Sequence, residues 1–242
     1  MRNQYQLKSL ETVRPRQSTV AGGDGGVSIR REACLGRRNR LLALAFVVAV
    51  NSATAANVIE LWDQVKAPPA PSLVAANVKA GETGLLILDI EQLTCNQERR
   101  PRCVEAVPGM AKFLERARNA HMPVFYSNTG SGSRETVLSP VAPKDDEPIV
   151  KASVNKFFGT KLDEYLKAKN VKTVIVCGTT ASGAALHTAT GAAQHGYKVV
   201  LPVDCNPGSS LYEEQSTVWT LINGPGTGRV LTATTLDAIK IE

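Results

Sequence analysis

The chain is short of aromatic residues: phenylalanine, tyrosine and tryptophan make up 5% of its 242 residues, and only two are tryptophan. With 21% charged and 43% hydrophobic residues the composition is otherwise that of an ordinary globular protein, long enough to bury one substantial core. The three histidines, His121, His187 and His195, are not spaced as paired metal ligands, so neither zinc nor iron is expected. Gly178 and Gly183 are not followed by the Lys-Ser/Thr of a phosphate-binding loop, and Gly130-Ser131-Gly132 does not follow a fitting strand. No apolar run approaches the ~20 residues of a transmembrane helix. No internal repeat or coiled-coil heptad is present. No cofactor is expected.

Net charge is +6, from 28 Lys and Arg against 22 Asp and Glu, but the excess is local. Arg2, Lys8, Arg14, Arg16, Arg30, Arg31, Arg37, Arg38 and Arg40 face only Glu11, Asp24 and Glu32 in the first 56 residues, and the remainder is balanced. A balanced body has no footprint for a phosphate backbone, which argues against nucleic-acid partners. The basic stretch 37–40 precedes the apolar run 41–50 and then Ala53-Thr54-Ala55. A basic region, a short apolar core and an A-x-A site form a signal peptide, with cleavage expected after Ala55. Arg37-Arg38 also permits a twin-arginine reading, and a retained run would serve as an anchor. The sequence thus divides into a leader, 1–55, an extended Pro-rich arm, 56–80, and a globular domain, 81–242. The mature protein is expected in the periplasm or outside the cell, free of the membrane.

Four cysteines remain beyond the leader: Cys95, Cys103, Cys177 and Cys205. Cys95 and Cys103 flank a short loop and are expected to bridge in an oxidising compartment, with two free thiols as the alternative. Cys177 lies in an apolar strand and is expected to pack there as a small hydrophobe.

Leu85-Leu86-Ile87-Leu88 is a continuous apolar run ending at Asp89, as in a strand buried on both faces. A helix is expected from Pro108, with Met110, Phe113, Leu114 and Ala117 on one face, then a strand at 124–126 and a long loop at 128–148. Helix 161–169, with a Thr160-x-x-Asp163 start, precedes strand 173–177 and the turn 178–183. Helix 184–195, strand 199–201, helix 213–223 and strand 230–232 complete the pattern. The alternation predicts an α/β, three-layer αβα, doubly wound parallel sheet of Rossmann-like type. In such sheets ligands bind beyond the carboxyl ends of the strands, where Asp89 and the 178–183 turn fall. Lys151, in the segment after the long loop, is a candidate to fold over both. Asp89 is alternatively a cap for a neighbouring turn.

Leu85-Leu86-Ile87-Leu88-Asp89-Ile90-Glu91 resembles the opening strand of isochorismatase-like cysteine hydrolases, which ends in their catalytic aspartate. Lys151, before Phe157-Phe158-Gly159-Thr160, falls where that family places its lysine. The segment from Val174 through Gly178, Leu186, Thr188 and Ala189 is similar to the family's nucleophile segment, and Gly196 to Asp204 matches the strand that follows. The resemblance implies a hydrolase of small amides, imides or vinyl ethers, a small-molecule substrate and a homo-oligomer. It implies Thr179, Thr180, Ala181 and Gly183 as the substrate-binding turn, and no metal, since the metal set of the nicotinamidases is missing.

The same resemblance puts Ala184 at the nucleophile and Ser182 at the preceding Asp/Asn position. In the family a cysteine thiolate attacks, the Asp moves the proton, the Lys lowers the thiolate pKa and backbone amides hold the oxyanion. A methyl group cannot attack. The explanations are an engineered Cys→Ala change, a nucleophile moved to Ser182, Thr180 or Cys177 with Asp89 as base, water attack with Asp89 as acid, or a catalytically silent domain that binds a small metabolite or protein partner in the same cleft.

Overall fold

The computed structural model describes residues 55–242, so the expected leader, apart from its last residue Ala55, lies outside the described residues. The described residues up to Val65 fall in one unit, and residues Lys66–Glu242 form a separate compact one. In the first, the described part contains a short 3-10 turn, Trp62–Gln64. Among the described residues no helix is long and apolar enough to cross a membrane.

The second unit is built on strands β1 (Ala76–Val78), β2 (Thr83–Leu88), β3 (Val124–Asn128), β4 (Ile149–Lys151), β5 (Thr173–Gly178), β6 (Lys198–Pro202), β7 (Leu231–Thr234) and β8 (Ile239–Ile241). Six of them form a parallel sheet in the order β4-β3-β2-β5-β6-β7. The expected arm ends in β1, which pairs in parallel with β8 as a separate two-stranded ribbon. Helices α1 (Pro101–Asn119), α2 (Leu162–Ala168), α3 (Leu186–Gln194) and α4 (Leu211–Asn223) connect and cover the sheet.

Strand alternation divides the core in two. Leu85, Ile87, Tyr126 and Ile175 pack with Met110, Phe113 and Leu114 of α1 and with Ile239 of the ribbon. Leu86, Leu88, Val174 and Val176 pack with Leu162 and Leu166 of α2, Ala189 of α3 and Leu221 of α4. Every residue of β2 is buried, as its unbroken apolar run requires. This is the three-layer, doubly wound arrangement that the alternation of elements implied.

Three local expectations are corrected. The helix expected from Pro108 starts at Pro101, with Pro108 inside it. Pro101 occupies the first turn, where its missing N–H costs nothing, so the start signal belongs to the earlier proline. The lost donor at Pro108 is tolerated in a helix whose inner face, from Cys103 to Ala117, is buried. Strand β4 lies where only a connection after the loop was read. Cys177 does not pack as a free thiol: it bridges Cys205 over a separation of 28 residues, tying the end of β5 to the turn after β6. The Cys95–Cys103 bridge is present, with Cα atoms 5.3 Å apart.

Candidate active site

The sheet turns outward in opposite directions from β2 and β5, which lie side by side at its centre. The chain leaves their carboxyl ends at Asp89 and at Thr179, opening the crevice where parallel α/β sheets bind ligands. Asp89 departs from strand geometry, with φ 55° in the left-handed region that Asp and Asn tolerate better than most residues. Its amide still donates to the Ser127 carbonyl of β3 at 3.0 Å.

The Asp89 carboxylate is 4% exposed as a residue and is held from two sides. Ser127 Oγ donates to Oδ1 at 2.7 Å, and Lys156 Nζ donates to Oδ2 at 2.7 Å. Lys156 is fully buried, and its ammonium also donates to the carbonyls of Ala152 at 2.9 Å and Ser153 at 2.6 Å. All three of its N–H groups are thus used. Burial pushes the Asp89 carboxyl above the ordinary carboxylate range, against the charge and hydrogen bond of Lys156 and the hydrogen bond from Ser127.

Lys151 is not the lysine that the structure brings to Asp89. It ends β4, where alternation buries Val150 and leaves Lys151 exposed. Residues 152–155 then fold back so that Lys156 enters beneath them. The sequence offered no signal to prefer one lysine over the other, because both precede the same Phe157-Phe158 pair and only the loop's path selects between them.

On the β5 side, Gly178 leads through Thr179 and Thr180 into one wide helical turn of π type, Ala181–Ala185, which continues into α3. A side chain at Gly178 would collide with Cβ and the backbone of Leu88, so the close approach of β2 and β5 requires glycine there. Thr179 is buried and its Oγ1 donates to the Pro207 carbonyl at 3.1 Å, while the Ala181 amide donates to the same oxygen at 3.1 Å. Ala181, Gly183 and Ala184 are buried, so these three shape the turn. Thr180 and Ser182 are half-buried. Thr180 Oγ1 donates to Glu213 Oε2 at 2.7 Å, a carboxylate in the first turn of α4 that sequence reasoning did not single out. Cys177, being bridged, supplies no thiolate.

A second buried carboxylate stands two residues beyond Asp89. Glu91 accepts from Asn128 Nδ2 at 2.6 Å, from Thr129 through Oγ1 and N, and from Thr136 Oγ1 at 3.0 Å. Burial raises its carboxyl, but the hydrogen bonds from Thr129, Asn128 and Thr136 outweigh that and hold it below the usual range. Its role is to fasten the long loop to the ends of β2 and β3. Among the described residues no group of three or more His, Cys, Asp or Glu side chains is arranged to hold a metal ion.

A family model described as the isochorismatase domain matches residues 83–235, more than half of the chain. Over 124 residues the chain is 27% identical to the N-carbamoylsarcosine amidase of Arthrobacter sp, a match covering 40% of this chain and 47% of that relative. It therefore spans about half of that amidase (47%). It is 25% identical over 147 residues to YrdC of Bacillus subtilis (strain 168), an uncharacterized isochorismatase family protein, covering 56% and 79% of the two chains. Among solved structures it is similar to a cysteine hydrolase from Pseudomonas syringae pv. phaseolicola 1448A, with TM-score 0.59 and 23% identity over 70% of this chain and 95% of the other. An N-carbamoylsarcosine amidase from Thermoplasma acidophilum aligns with TM-score 0.55 and 20% identity over 64% of this chain and 97% of the other. These structural likenesses concern the fold; the family match rests on the sequence itself. With Asp89 and the 178–185 turn meeting at the centre of a parallel sheet inside the matched segment, the chain belongs to the isochorismatase family.

Proposed function

We propose that this chain is an exported hydrolase of small amides that works without a cysteine nucleophile. The observation that carries the reading is the buried Asp89–Lys156 pair, standing at the end of β2 beside the strand-to-helix turn that follows β5. A carboxylate kept out of water and lifted above its ordinary pKa is suited to taking and returning a proton. The likeness to an N-carbamoylsarcosine amidase supports an amide among the family's substrates. Export rests on the basic, apolar and A-x-A pattern at residues 37–55.

In this mechanism a water adds to the substrate carbonyl carbon while Asp89 takes one of its protons. The carbonyl oxygen becomes an oxyanion facing the backbone amides of the 178–185 turn. The intermediate collapses, the C–N bond breaks and Asp89 delivers its proton to the departing nitrogen. Lys156, with every N–H committed, partly offsets the effect of burial on Asp89 and holds its carboxylate in place rather than touching substrate. A second reading is favoured by the 2.7 Å contact between Thr180 and Glu213. There the Thr180 hydroxyl attacks the carbonyl carbon as its proton passes to Glu213, and the C–N bond breaks with that proton delivered to the departing nitrogen. Water activated by Glu213 then hydrolyses the resulting ester and restores the hydroxyl.

Ammonia release from N-carbamoyl amino acids and short primary amides, with acid release from imides, tests both readings. Turnover that falls by at least ~10²-fold in Asp89→Asn supports the water route. Turnover that survives this change but is lost in Thr180→Val moves the chemistry to the threonine. Ligand binding without release of product from any substrate would assign the cleft to a silent binder.

A further inference from the structure

Arg100 stands out among the charged residues near this site. It is 8% exposed, yet no carboxylate among the described residues lies within ion-pair distance of it. Other arginines behave differently. Arg102, with its side chain 43% exposed, is paired with Glu214 at 2.6 Å, and Arg118, 20% exposed, with Glu147 at 2.6 Å. A guanidinium buried against neutral acceptors alone is costly, because its charge is desolvated without being matched.

Its position is fixed. Arg100 is the residue before α1, on the short loop closed by the Cys95–Cys103 bridge. Its amide donates to Asn96 O at 2.8 Å, and its carbonyl accepts from Cys103 N at 3.0 Å. The side chain joins the loop after β2 to the loop before α4. Nη1 donates to Thr94 O at 2.8 Å, and Thr94 Oγ1 in turn donates to the carbonyl of Asp89. Nε donates to Ser209 Oγ at 3.2 Å, and the Ser209 amide donates to the Glu213 oxygen that also accepts from Thr180. Arg100 therefore links the Asp89 side of the opening to the Thr180 side. Two of its five N–H groups are used, and Nη2 makes no hydrogen bond among the described residues.

The charges facing it are accounted for. Asp89 is matched by direct contact with Lys156. Glu213 acts on Arg100 through space while its Oε2 accepts from Thr180 and Ser209. Arg99 adds a like charge beside it. The first turn of α1 carries no acidic residue, so the positive end of a 19-residue helix adds to the same potential.

We propose that Arg100 is the recognition residue for a carboxylate on the substrate, so that the substrates of this site are amides bearing a carboxylate a few bonds from the carbonyl attacked. The planar fork of unused N–H groups fits a carboxylate bidentately, which a lysine could not do. The anion supplies the missing counter-charge, and the disulfide-closed loop holds the fork in place before binding. For its location the inference rests on the site described above; it does not depend on turnover.

Calorimetric titration of the full chain with short N-carbamoyl and N-acyl amino acids, each beside its neutral carboxamide, tests this. The expected result is carboxylates binding at least about tenfold tighter than their carboxamides. That preference should disappear in Arg100→Gln, weaken in Arg100→Lys and fall with added salt. Because Arg100 bridges two loops, Ser209→Ala serves as a second variant: it frees Nε but keeps the charge, and should retain most of the preference. A folded Arg100→Gln that still prefers carboxylates would overturn the assignment, as would a natural chain that binds no carboxylate better than its carboxamide. Preferential binding without hydrolysis would leave the assignment standing and remove the hydrolase reading instead.

Discussion

Water is withheld from the Asp89 carboxylate, and Lys156 and Ser127 restore only part of what hydration would give. The balance leaves the group protonated to higher pH than in an unfolded chain. Stability linked to Asp89 therefore falls as pH rises from the unfolded value of about 3.9 through the folded one. Glu91 runs the other way. Held low by Thr129, Asn128 and Thr136 despite its burial, it adds stability above an unfolded value of about 4.3, and that is lost as pH falls through its folded value. Urea unfolding across the acid range should show Asp89→Asn removing the declining limb and Glu91→Gln the rising one. Two limbs unchanged by these substitutions would refute the assignment. Turnover should show an acid limb above the ordinary carboxylate range, since the base must be ionised to act. Lys156→Met strands a buried carboxylate and should cost about 3–5 kcal/mol. Lys151→Met, at an exposed strand end, should stay within about 0.5 kcal/mol in the same unfolding assay. Equal effects would contradict the pairing. Asp89 was legible because an apolar strand that stops at a carboxylate leaves few other uses for it. Lys156, Glu213 and Arg100 were not, because each owes its place to the path of a loop, and nothing in their own neighbourhoods of sequence encodes that path.

At the scale of elements, strands β2 and β5 approach closely because Gly178 has no side chain to hold them apart. Gly178→Ala should push the strands apart and lower the urea midpoint, whereas Gly130→Ala, where an added methyl meets nothing, should not. The bridge between Cys177 and Cys205 ties β5 to the Val203–Cys205 turn after β6, next to the Pro207 carbonyl that receives Thr179 and Ala181. Replacing both cysteines by alanine should cost about 2–4 kcal/mol, measured by unfolding the oxidised natural chain beside the variant. A midpoint that does not move would show that the bridge does not form. The long apolar runs of β2 and β5 and the amphipathic face of α1 were readable from periodicity alone. The three-residue strands β1, β4 and β8 were not, for such lengths carry too little alternation to be told from a loop. Their pairing is decided by neighbours far along the chain. The start of α1 was misread because two prolines compete for it and only packing identifies which one begins the helix.

At the scale of the molecule, a balanced α/β domain with two disulfides is joined to a basic N-terminal stretch that carries most of the charge excess. The disulfides are what the proposed export to an oxidising compartment calls for. Mass spectrometry of the protein recovered from a host that exports it should find an N-terminus at Ala56 and four cysteines without free thiol. A retained leader or alkylatable thiols would count against export. The central claim is a hydrolase built on the isochorismatase fold around Asp89 and Lys156, with no cysteine attacking. The measurement that tests it most directly compares ammonia release from N-carbamoyl amino acids by the natural chain, by Asp89→Asn and by Ala184→Cys. Turnover by the natural chain that drops at least ~10²-fold in Asp89→Asn is the expected result. A silent natural chain that gains activity only in Ala184→Cys would contradict the claim, leaving an intact cleft that lacks its nucleophile.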